Sequence, residues 1–388
     1  MRAVAVALSG GGDSVALLLI ADAWAREAGR DLLVLTIDHR LQPQSETWTS
    51  RCATLAARLD RPFRALAWSG PKPPRGLPAA ARAARHRLLA QAAREAGAAV
   101  ILMGHTADDV LEARRMRTAG STTPDPRAWA PSPAWPEGRG VFLLRPLLEA
   151  RRADLRQWLA GRGETWIDDP ANADPLSLRA RVRAHAGGDA LPAPEAPRPL
   201  EIDVEERFGW LEAARPAVSA GDTARFVSLA SVCAGGGDKR PAGARIARIA
   251  AALQGDAPFV GVLAGARIEA DRSWVRISRE PGEAARGGLP TLDLEPGEAV
   301  VWDGRFELVA KAPGLAVRRL AGVAASLPAS QLASLRQLPA TCRGALPALV
   351  ADGAVSCPLL EPDPRVEVRS LVGGRYRAAA GLIECEPD

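Results

Sequence analysis

The sequence predicts an α/β fold built on a doubly wound parallel sheet. Short apolar runs alternate with longer helical patterns through the first half of the chain, and polar clusters follow the runs where strands would end. Such alternation is typical of parallel sheets with helices on both faces, which bind ligands at the carboxyl ends of their strands. The chain has 388 residues, enough for two or three domains.

The elements of the first half follow one another in a regular order. Apolar runs predict five strands, at Val4–Leu8, Leu32–Ile37, Phe63–Leu66, Val100–Met103 and Val141–Leu144. Helical periodicity predicts four helices between them, at Asp13–Glu27, Glu46–Leu59, Ala79–Ala96 and Asp108–Met116. Residues 120–140 are rich in Pro and Gly, which predicts a loop.

The second half of the chain has a different character. We predict a first domain at 1–185 and a linker at 186–200, because the stretch after Arg183 is dense in Ala, Gly and Pro. Helical patterns broken by glycine then predict a helical segment at 201–256, and short alternating stretches predict a smaller β-rich domain at 257–388. No catalytic cluster is evident in this half.

Composition narrows the class of protein. No stretch approaches the ~18–20 apolar residues of a membrane span, and no signal segment opens the chain, so we expect a cytoplasmic protein without a membrane partner. The five cysteines form no C-x-x-C pair, which argues against a zinc site or a redox dithiol. Of 50 basic residues all but three are arginine, a residue suited to phosphate, although coding bias could produce the same excess.

The stretch SGGGDS at 9–14 resembles a phosphate-binding loop without the usual lysine. Its three glycines let several N–H groups approach one anion, and the following helix adds the positive end of its dipole. Asp13 could hold Mg²⁺ on the phosphates, while Ser9 and Ser14 could donate hydrogen bonds. A structural turn between a strand and a helix would explain the glycines as well.

Three further polar clusters have competing explanations. Asp38 and His39 end a strand, where Asp is also an ordinary turn residue. Asp109 and Glu112 share a helical face and could grip an ammonium group or a metal, or form a solvated acidic face. Another pair, Arg82 and Arg85, could face substrate, ATP or RNA, or simply solvent.

Several motifs together point to a known family. SGGGDS is similar to the S-G-G-x-D-S signature of the PP-loop ATP pyrophosphatases, which cleave ATP between its α- and β-phosphates. Five further stretches restrict the resemblance to the tRNA(Ile)-lysidine synthetases: TIDHRL (36–41), ARAARHR (81–87), MGHTADDVLE (103–112), LRPLLEARRADLRQWL (144–159) and WIDDPANADPLSLRARVR (166–183). The match in order and spacing covers about the first half of the chain.

The resemblance implies a reaction, its substrates and a set of residues. The wobble cytidine of a minor isoleucine tRNA with a CAU anticodon is adenylated by MgATP, and free lysine then displaces AMP to form lysidine. Accessory domains of the family hold the tRNA, which suggests tRNA recognition by the second half of this chain. The implied catalytic residues are Asp13, Asp38, Arg85, Asp109, Glu112 and Arg179. The implied ATP site consists of Ser9, Gly10, Gly11, Gly12, Asp13, Ser14, Asp38, His39 and His105, with Asp13 as the Mg²⁺ ligand. The implied lysine site consists of Asp109, Glu112 and Arg85, and the implied tRNA contacts are Arg82, Arg179, Arg181 and Arg183.

The chain departs from the family pattern at five positions, occupied here by Pro78, His86, Val110, Ala113 and Ala180. A noncatalytic tRNA-binding relative is therefore an alternative. A tRNA thiolation enzyme is another, because such enzymes also adenylate a base with a PP-loop. Paired cysteines, which several thiolation enzymes need, are missing from the sequence, and the intact glycine loop argues against a noncatalytic protein. The 120–140 loop could gate the site, bind tRNA or serve as a structural cover. The protein could be a monomer or a homodimer.

Overall fold

The computed structural model describes residues 2–70, 72–120, 125–169, 198–282 and 289–387. The chain divides into two compact units, Met1–Pro197 together with Ile383–Asp388, and Arg198–Leu382. No helix in the described ranges combines the length and the apolar character that crossing a bilayer requires.

The first unit contains the predicted parallel sheet. Its strands lie in the order β3-β2-β1-β4-β6-β5, and all neighbours pair in parallel except the edge strand β5. The five predicted strands and four predicted helices are all confirmed, with small shifts at their ends. The elements are β1 Val4–Ala7, α1 Gly12–Glu27, β2 Leu32–Asp38, α2 Ser45–Arg58, β3 Phe63–Ala67, α3 Leu77–Glu95, β4 Val100–Leu102, α4 Ala107–Thr118, β5 Trp129–Pro131, β6 Phe142–Leu144 and α5 Arg152–Ala160.

Alternating strand residues contribute side chains to two hydrophobic cores, one on each face of this sheet. Val4, Val6 and Val34 pack in one core with residues of α1, α2 and α5, whereas Ala5 and Leu35 pack in the other with α3. Successive side chains of a strand point to opposite faces, so a strand covered on both faces is apolar throughout. This explains the uninterrupted apolar runs of the sequence.

The predicted loop at 120–140 contains an edge strand. Trp129–Pro131 pairs antiparallel with Phe142–Leu144, and the Trp129 ring stacks on Phe142 with a centroid separation of 4.8 Å. The Trp129 indole N–H donates to the carbonyl of Ile383 at 2.7 Å. Of the three roles left open by the sequence, these contacts favour structural cover for the described part of this segment.

The structure of the second unit differs from the predicted boundaries of the linker, the helical segment and the β-rich domain. Trp210–Ala214 lies in the segment predicted to be helical, yet it pairs antiparallel with Trp274–Arg279 from beyond residue 256. The helices between them therefore pack on a sheet drawn from both predicted segments. Leu200, assigned to the linker, is buried in that core, and Ile383–Asp388 belongs to the first unit. Local periodicity could not reveal these pairings, because they join residues far apart in sequence.

Three antiparallel sheets make up the second unit in the part of the chain described, in the orders β7-β8-β11-β10-β9, β12-β15-β16-β17 and β13-β14-β18. The strands are β7 Glu205–Arg207, β8 Trp210–Ala214, β9 Phe259–Leu263, β10 Ala266–Ala270, β11 Trp274–Arg279, β12 Leu292–Leu294, β13 Ala299–Trp302, β14 Phe306–Ala310, β15 Leu315–Arg319, β16 Pro347–Ala351, β17 Ala354–Ser356 and β18 Val366–Ser370. The helices are α6 Arg215–Ala220, α7 Thr223–Ala234, α8 Ala244–Gln254, α9 Ala329–Gln337, α10 Ala340–Arg343 and α11 Val372–Ala380, with a 3₁₀ turn at Ala324–Ser326.

Candidate active site

The glycine loop joins β1 to the first turn of α1. Gly10 has φ = +82°, a backbone conformation that glycine adopts without strain. The Ser9 and Ser14 hydroxyls lie 3.0 Å apart, and the Ser9 amide donates to Ser14 Oγ at 3.2 Å. Gly11 is the N-cap residue and brings no side chain to the helix terminus. The loop is thus closed by its own serines and leaves the positive end of α1 open to an anion.

Two neighbouring segments approach this loop closely at glycine positions. A Cβ on Gly10 would lie 2.4 Å from Ile167 Cδ1, and the Gly10 carbonyl accepts a hydrogen bond from Ile167 N at 2.8 Å. A Cβ on Gly104, which follows β4, would lie 3.1 Å from Ser14 Cα and 3.2 Å from the Asp13 carbonyl oxygen. The loop is therefore held from both sides.

Three predicted carboxylates converge on one guanidinium beside the loop. Arg152 at the start of α5 donates through Nε to Asp13 Oδ2 at 2.9 Å and through Nη1 to Glu112 Oε1 at 3.0 Å. Its Nη2 lies 3.5 Å from Asp109 Oδ1. Burial by itself lowers the pKa of Arg152, but Asp109, Asp13 and Glu112 outweigh burial and raise it. Arg152 is therefore charged at neutral pH.

Asp109 also has a local structural role. Its Oδ2 accepts hydrogen bonds from the Thr106 amide at 2.8 Å and the Thr106 hydroxyl at 3.0 Å, which forms a capping box at the start of α4. This cap fixes the first turn of the helix. One turn further along, Glu112 emerges on the same face, with 2% of its surface exposed. The prediction that the two carboxylates share a face is confirmed.

Asp13 combines a restrained oxygen with an unsatisfied one. Its Oδ2 is bound by Arg152, whereas Oδ1 is buried and has no hydrogen-bond partner among the described residues. Burial raises the pKa of Asp13, and Arg152 opposes that rise. A buried carboxylate oxygen without a partner is costly and therefore suits a bound cation.

Asp38 and His39 end β2 at the same edge of the sheet. Asp38 Oδ1 accepts a hydrogen bond from the Arg40 amide at 2.8 Å, so its carboxylate closes a local turn. The His39 ring meets Trp68 edge-on at 6.1 Å, and its Nδ1 is buried without a partner in the described ranges. Burial and the charge of Arg85 lower the pKa of His39. The histidine is thus neutral and retains hydrogen-bonding capacity.

A cluster of basic side chains surrounds the ends of β4 and β6. Arg145 is buried, donates through Nε to His105 Nδ1 at 3.1 Å, and donates through Nη1 to the Arg127 carbonyl at 2.7 Å. Burial and the nearby Arg82 lower its pKa to about 10. The Arg145 bond requires an unprotonated His105 Nδ1, so the ring proton lies on Nε2. Arg145 thereby orients a predicted ATP-site residue.

His86 lies within the same basic cluster. Its ring is buried and neither nitrogen has a hydrogen-bond partner in the described part of the chain. Burial, followed by the charges of Arg85 and Arg82, lowers its pKa to about 2. The cluster of Arg82, Arg85, His86, His105 and Arg145 thus brings three guanidinium groups near one buried ring, an arrangement suited to a phosphate or a carboxylate.

Sequence reasoning missed two arginines that organise this site. Arg145 and Arg152 both lie in the quoted stretch LRPLLEARRADLRQWL, but arginine is so frequent in this chain that neither stood out. Their burial and their contacts distinguish them. The predicted residues Arg179, Arg181 and Arg183 lie outside the described residues, so their assignment stays a prediction.

The parallel sheet, the glycine loop without a lysine and the carboxylates beside it define a PP-loop nucleotide-binding domain. The model of the PP-loop domain family matches residues 1–187. The whole chain is also similar to tRNA(Ile)-lysidine synthases. It is 48% identical over 392 residues to that of Caulobacter vibrioides, covering 99% of this chain and 94% of the relative. The chain therefore belongs to the tRNA(Ile)-lysidine synthase family.

Further comparisons give lower similarity. The tRNA(Ile)-lysidine synthase of Brucella ovis is 36% identical over 334 residues, covering 79% of this chain and 73% of the relative. Among solved structures, the U34-tRNA thiolase of Methanococcus maripaludis with its [4Fe-4S] cluster aligns with a TM-score of 0.40 and 14% identity. That alignment covers 47% of this chain and 65% of the thiolase.

Proposed function

We propose that this protein converts the wobble cytidine of an isoleucine tRNA with a CAU anticodon into lysidine, consuming ATP and free lysine and releasing AMP and pyrophosphate. The observation that carries the proposal is the convergence of Asp13, Asp109 and Glu112 beside the glycine loop. It gives one edge of the sheet both a phosphate-binding loop and acceptors for an ammonium group. Membership of the lysidine synthase family supports the same reaction.

In the first half-reaction, the cytidine carbonyl oxygen attacks the α-phosphorus of ATP, and pyrophosphate leaves. The glycine loop from Ser9 to Ser14 and the N-terminus of α1 bind the departing phosphates. His39 and His105 contribute neutral ring groups near the nucleotide. Because phosphoryl-type transfers depend on positioning and on electrostatic stabilisation, these residues orient the α-phosphorus and stabilise charge that develops on it.

In the second half-reaction, the amine of lysine attacks the activated cytidine carbon and AMP leaves. Asp109 and Glu112 bind the α-ammonium group of lysine, while Arg85 binds its carboxylate. The ε-amine must be neutral to attack, so it is not the group held by the two acids. Opposite charges at the two ends of the amino-acid head group orient the side chain towards the cytidine.

Asp13 is the residue that fits a Mg²⁺ ion bound to the phosphates. Its buried, unpartnered Oδ1 is an oxygen ligand of the type that Mg²⁺ prefers. The structure contains no group of three or more His, Cys, Asp or Glu side chains suited to a metal within the described ranges, which agrees with an ion held by one carboxylate and substrate phosphates. The metal would neutralise charge on the phosphate oxygens.

We assign the tRNA contacts to arginines of the first unit and to the second unit. Arg82 belongs to the basic cluster at the edge of the sheet. We assign tRNA contacts to it and to Arg179, Arg181 and Arg183, because the family motif aligns with Arg179 and Arg183. No catalytic cluster is evident among the described residues of the second unit, Arg198–Leu382, and we assign tRNA recognition to this unit. Because its substrates are tRNA, ATP and free lysine, we place the protein in the cytoplasm.

The decisive experiment is mass analysis of the wobble nucleoside after incubation of the tRNA with protein, ATP and lysine. We expect lysidine, with a mass increase that follows isotopically labelled lysine. Reactions without lysine or without ATP are the controls. A thiolated base would indicate the alternative enzyme, and an unchanged nucleoside despite tRNA binding would indicate a noncatalytic relative.

A further inference from the structure

Arg152 joins the two halves of the proposed site. Its Nε binds Asp13 of the glycine loop, and its Nη1 binds Glu112 of α4. Asp109 lies 3.5 Å from Nη2. The side chain is 15% exposed, and it begins a helix that is distant in sequence from both partners. One planar group therefore contacts the nucleotide half and the amino-acid half together.

The charges explain why a cation is needed at this position. Three carboxylates lie around Arg152, two of them on residues that are more than nine-tenths buried, Asp109 and Glu112. Without a counter-charge, mutual repulsion would favour rotation of these acids away from one another. The guanidinium offsets part of this negative charge and lies within reach of all three acids.

The contacts also fix the orientation of two of these carboxylates. Arg152 engages Asp13 Oδ2 and leaves the buried Oδ1 without a partner in the described structure. On the other side, Thr106 holds Asp109 Oδ2, and Arg152 approaches Oδ1. A planar guanidinium with fixed donor directions imposes such an arrangement, whereas a lysine ammonium would not.

We propose that Arg152 is a positioning residue that couples the nucleotide and amino-acid halves of the site, by holding Asp13, Asp109 and Glu112 in their binding orientations. This inference rests on the proposed function. Arg152 acts through the acids and touches neither substrate. Replacing it should therefore weaken both lysine and MgATP binding, and should do so through its carboxylate partners.

The test compares Arg152→Gln, Arg152→Lys and a matched control, Arg151→Gln. Arg151 is the adjacent arginine, and it pairs at 3.3 Å with Asp108. The measurements are the KM for lysine in lysidine formation and the Kd for MgATP by calorimetry. We expect Arg152→Gln to raise each value on the order of tenfold to a hundredfold, as for loss of a charge-assisted hydrogen bond. Arg151→Gln should remain within about twofold of wild type.

Arg152→Lys keeps the positive charge, so it tests the directed contacts of Arg152 even if the neutral variant Arg152→Gln does not fold. Because one ammonium cannot reproduce the three directed contacts, we expect an intermediate increase in the KM for lysine with wild-type thermal stability. The double variant Glu112→Gln, Arg152→Gln supplies the second test. If Arg152 acts through Glu112, its removal should raise the lysine KM much less in the Glu112→Gln background than in wild type.

Three outcomes would overturn the inference: unchanged lysine and MgATP affinities in Arg152→Gln, tighter lysine binding, or fully additive effects in the double variant. Tighter binding would mean that Arg152 competes with the ammonium group. Failure of the proposed function has a different readout, since wild-type protein would then make no lysidine. The calorimetric MgATP comparison would still decide whether Arg152 positions Asp13.

Discussion

Replacing Gly104 by alanine should disturb the phosphate loop without changing the identity of any predicted ligand residue. The added Cβ would lie 3.1 Å from Ser14 Cα and 3.2 Å from both Ser14 N and the Asp13 carbonyl oxygen. All three neighbours are backbone atoms, so no side-chain rotation can relieve the contact. Either the end of β4 or the first turn of α1 must move by a few tenths of an ångström.

The size of the effect follows from overpacking, which costs roughly 1–3 kcal/mol in a well-packed region. If the displacement falls on the loop, ATP affinity should fall by about fivefold to a hundredfold, because a factor of ten corresponds to about 1.4 kcal/mol. If the overpacking instead lowers the free energy of unfolding, the Tm should drop by roughly 2–4 °C for each kcal/mol in a unit of this size. Calorimetric ATP binding and thermal unfolding measure the two contributions.

Gly161→Ala is the matched control in the same unit. A Cβ at Gly161 would lie 3.5 Å from the Gln157 carbonyl, an ordinary van der Waals distance, so ATP affinity should not change. If Gly104→Ala binds ATP with wild-type affinity and unfolds at the wild-type Tm, the close approach of β4 to the loop has no energetic consequence. Gly104 would then have no role in positioning the loop.

Three further predictions address the binding residues. Glu112→Gln should raise the lysine concentration needed for lysidine formation on the order of tenfold to a hundredfold while adenylation of tRNA survives; the reverse pattern would assign Glu112 to ATP or metal. Asp13→Ala should weaken Mg-dependent ATP use much more than tRNA binding, and equal loss of both in folded protein would refute that division. Arg179→Ala and Arg183→Ala should each reduce the salt dependence of tRNA affinity by about one unit of slope, whereas an unchanged slope would argue against phosphate contacts.

Much of the fold and part of the site could be predicted from local patterns. The apolar runs identified the strands of the parallel sheet, and SGGGDS identified the loop, because both signals are contiguous in sequence. The helical spacing of Asp109 and Glu112 predicted their common face for the same reason. The pairing of Trp210–Ala214 with Trp274–Arg279 could not be predicted in this way, because it depends on a long-range contact.

The class of fold, the phosphate loop and the family resemblance can be derived from the amino-acid sequence alone, because strand alternation, glycine content and motif spacing are properties of neighbouring residues. The meeting of Asp13 and Glu112 on Arg152, and the orientation of His105 by Arg145, become visible only in the folded chain. In a chain with 50 basic residues, charge alone does not distinguish one arginine from another. Burial and directed hydrogen bonds do, because both arise only when distant segments pack together.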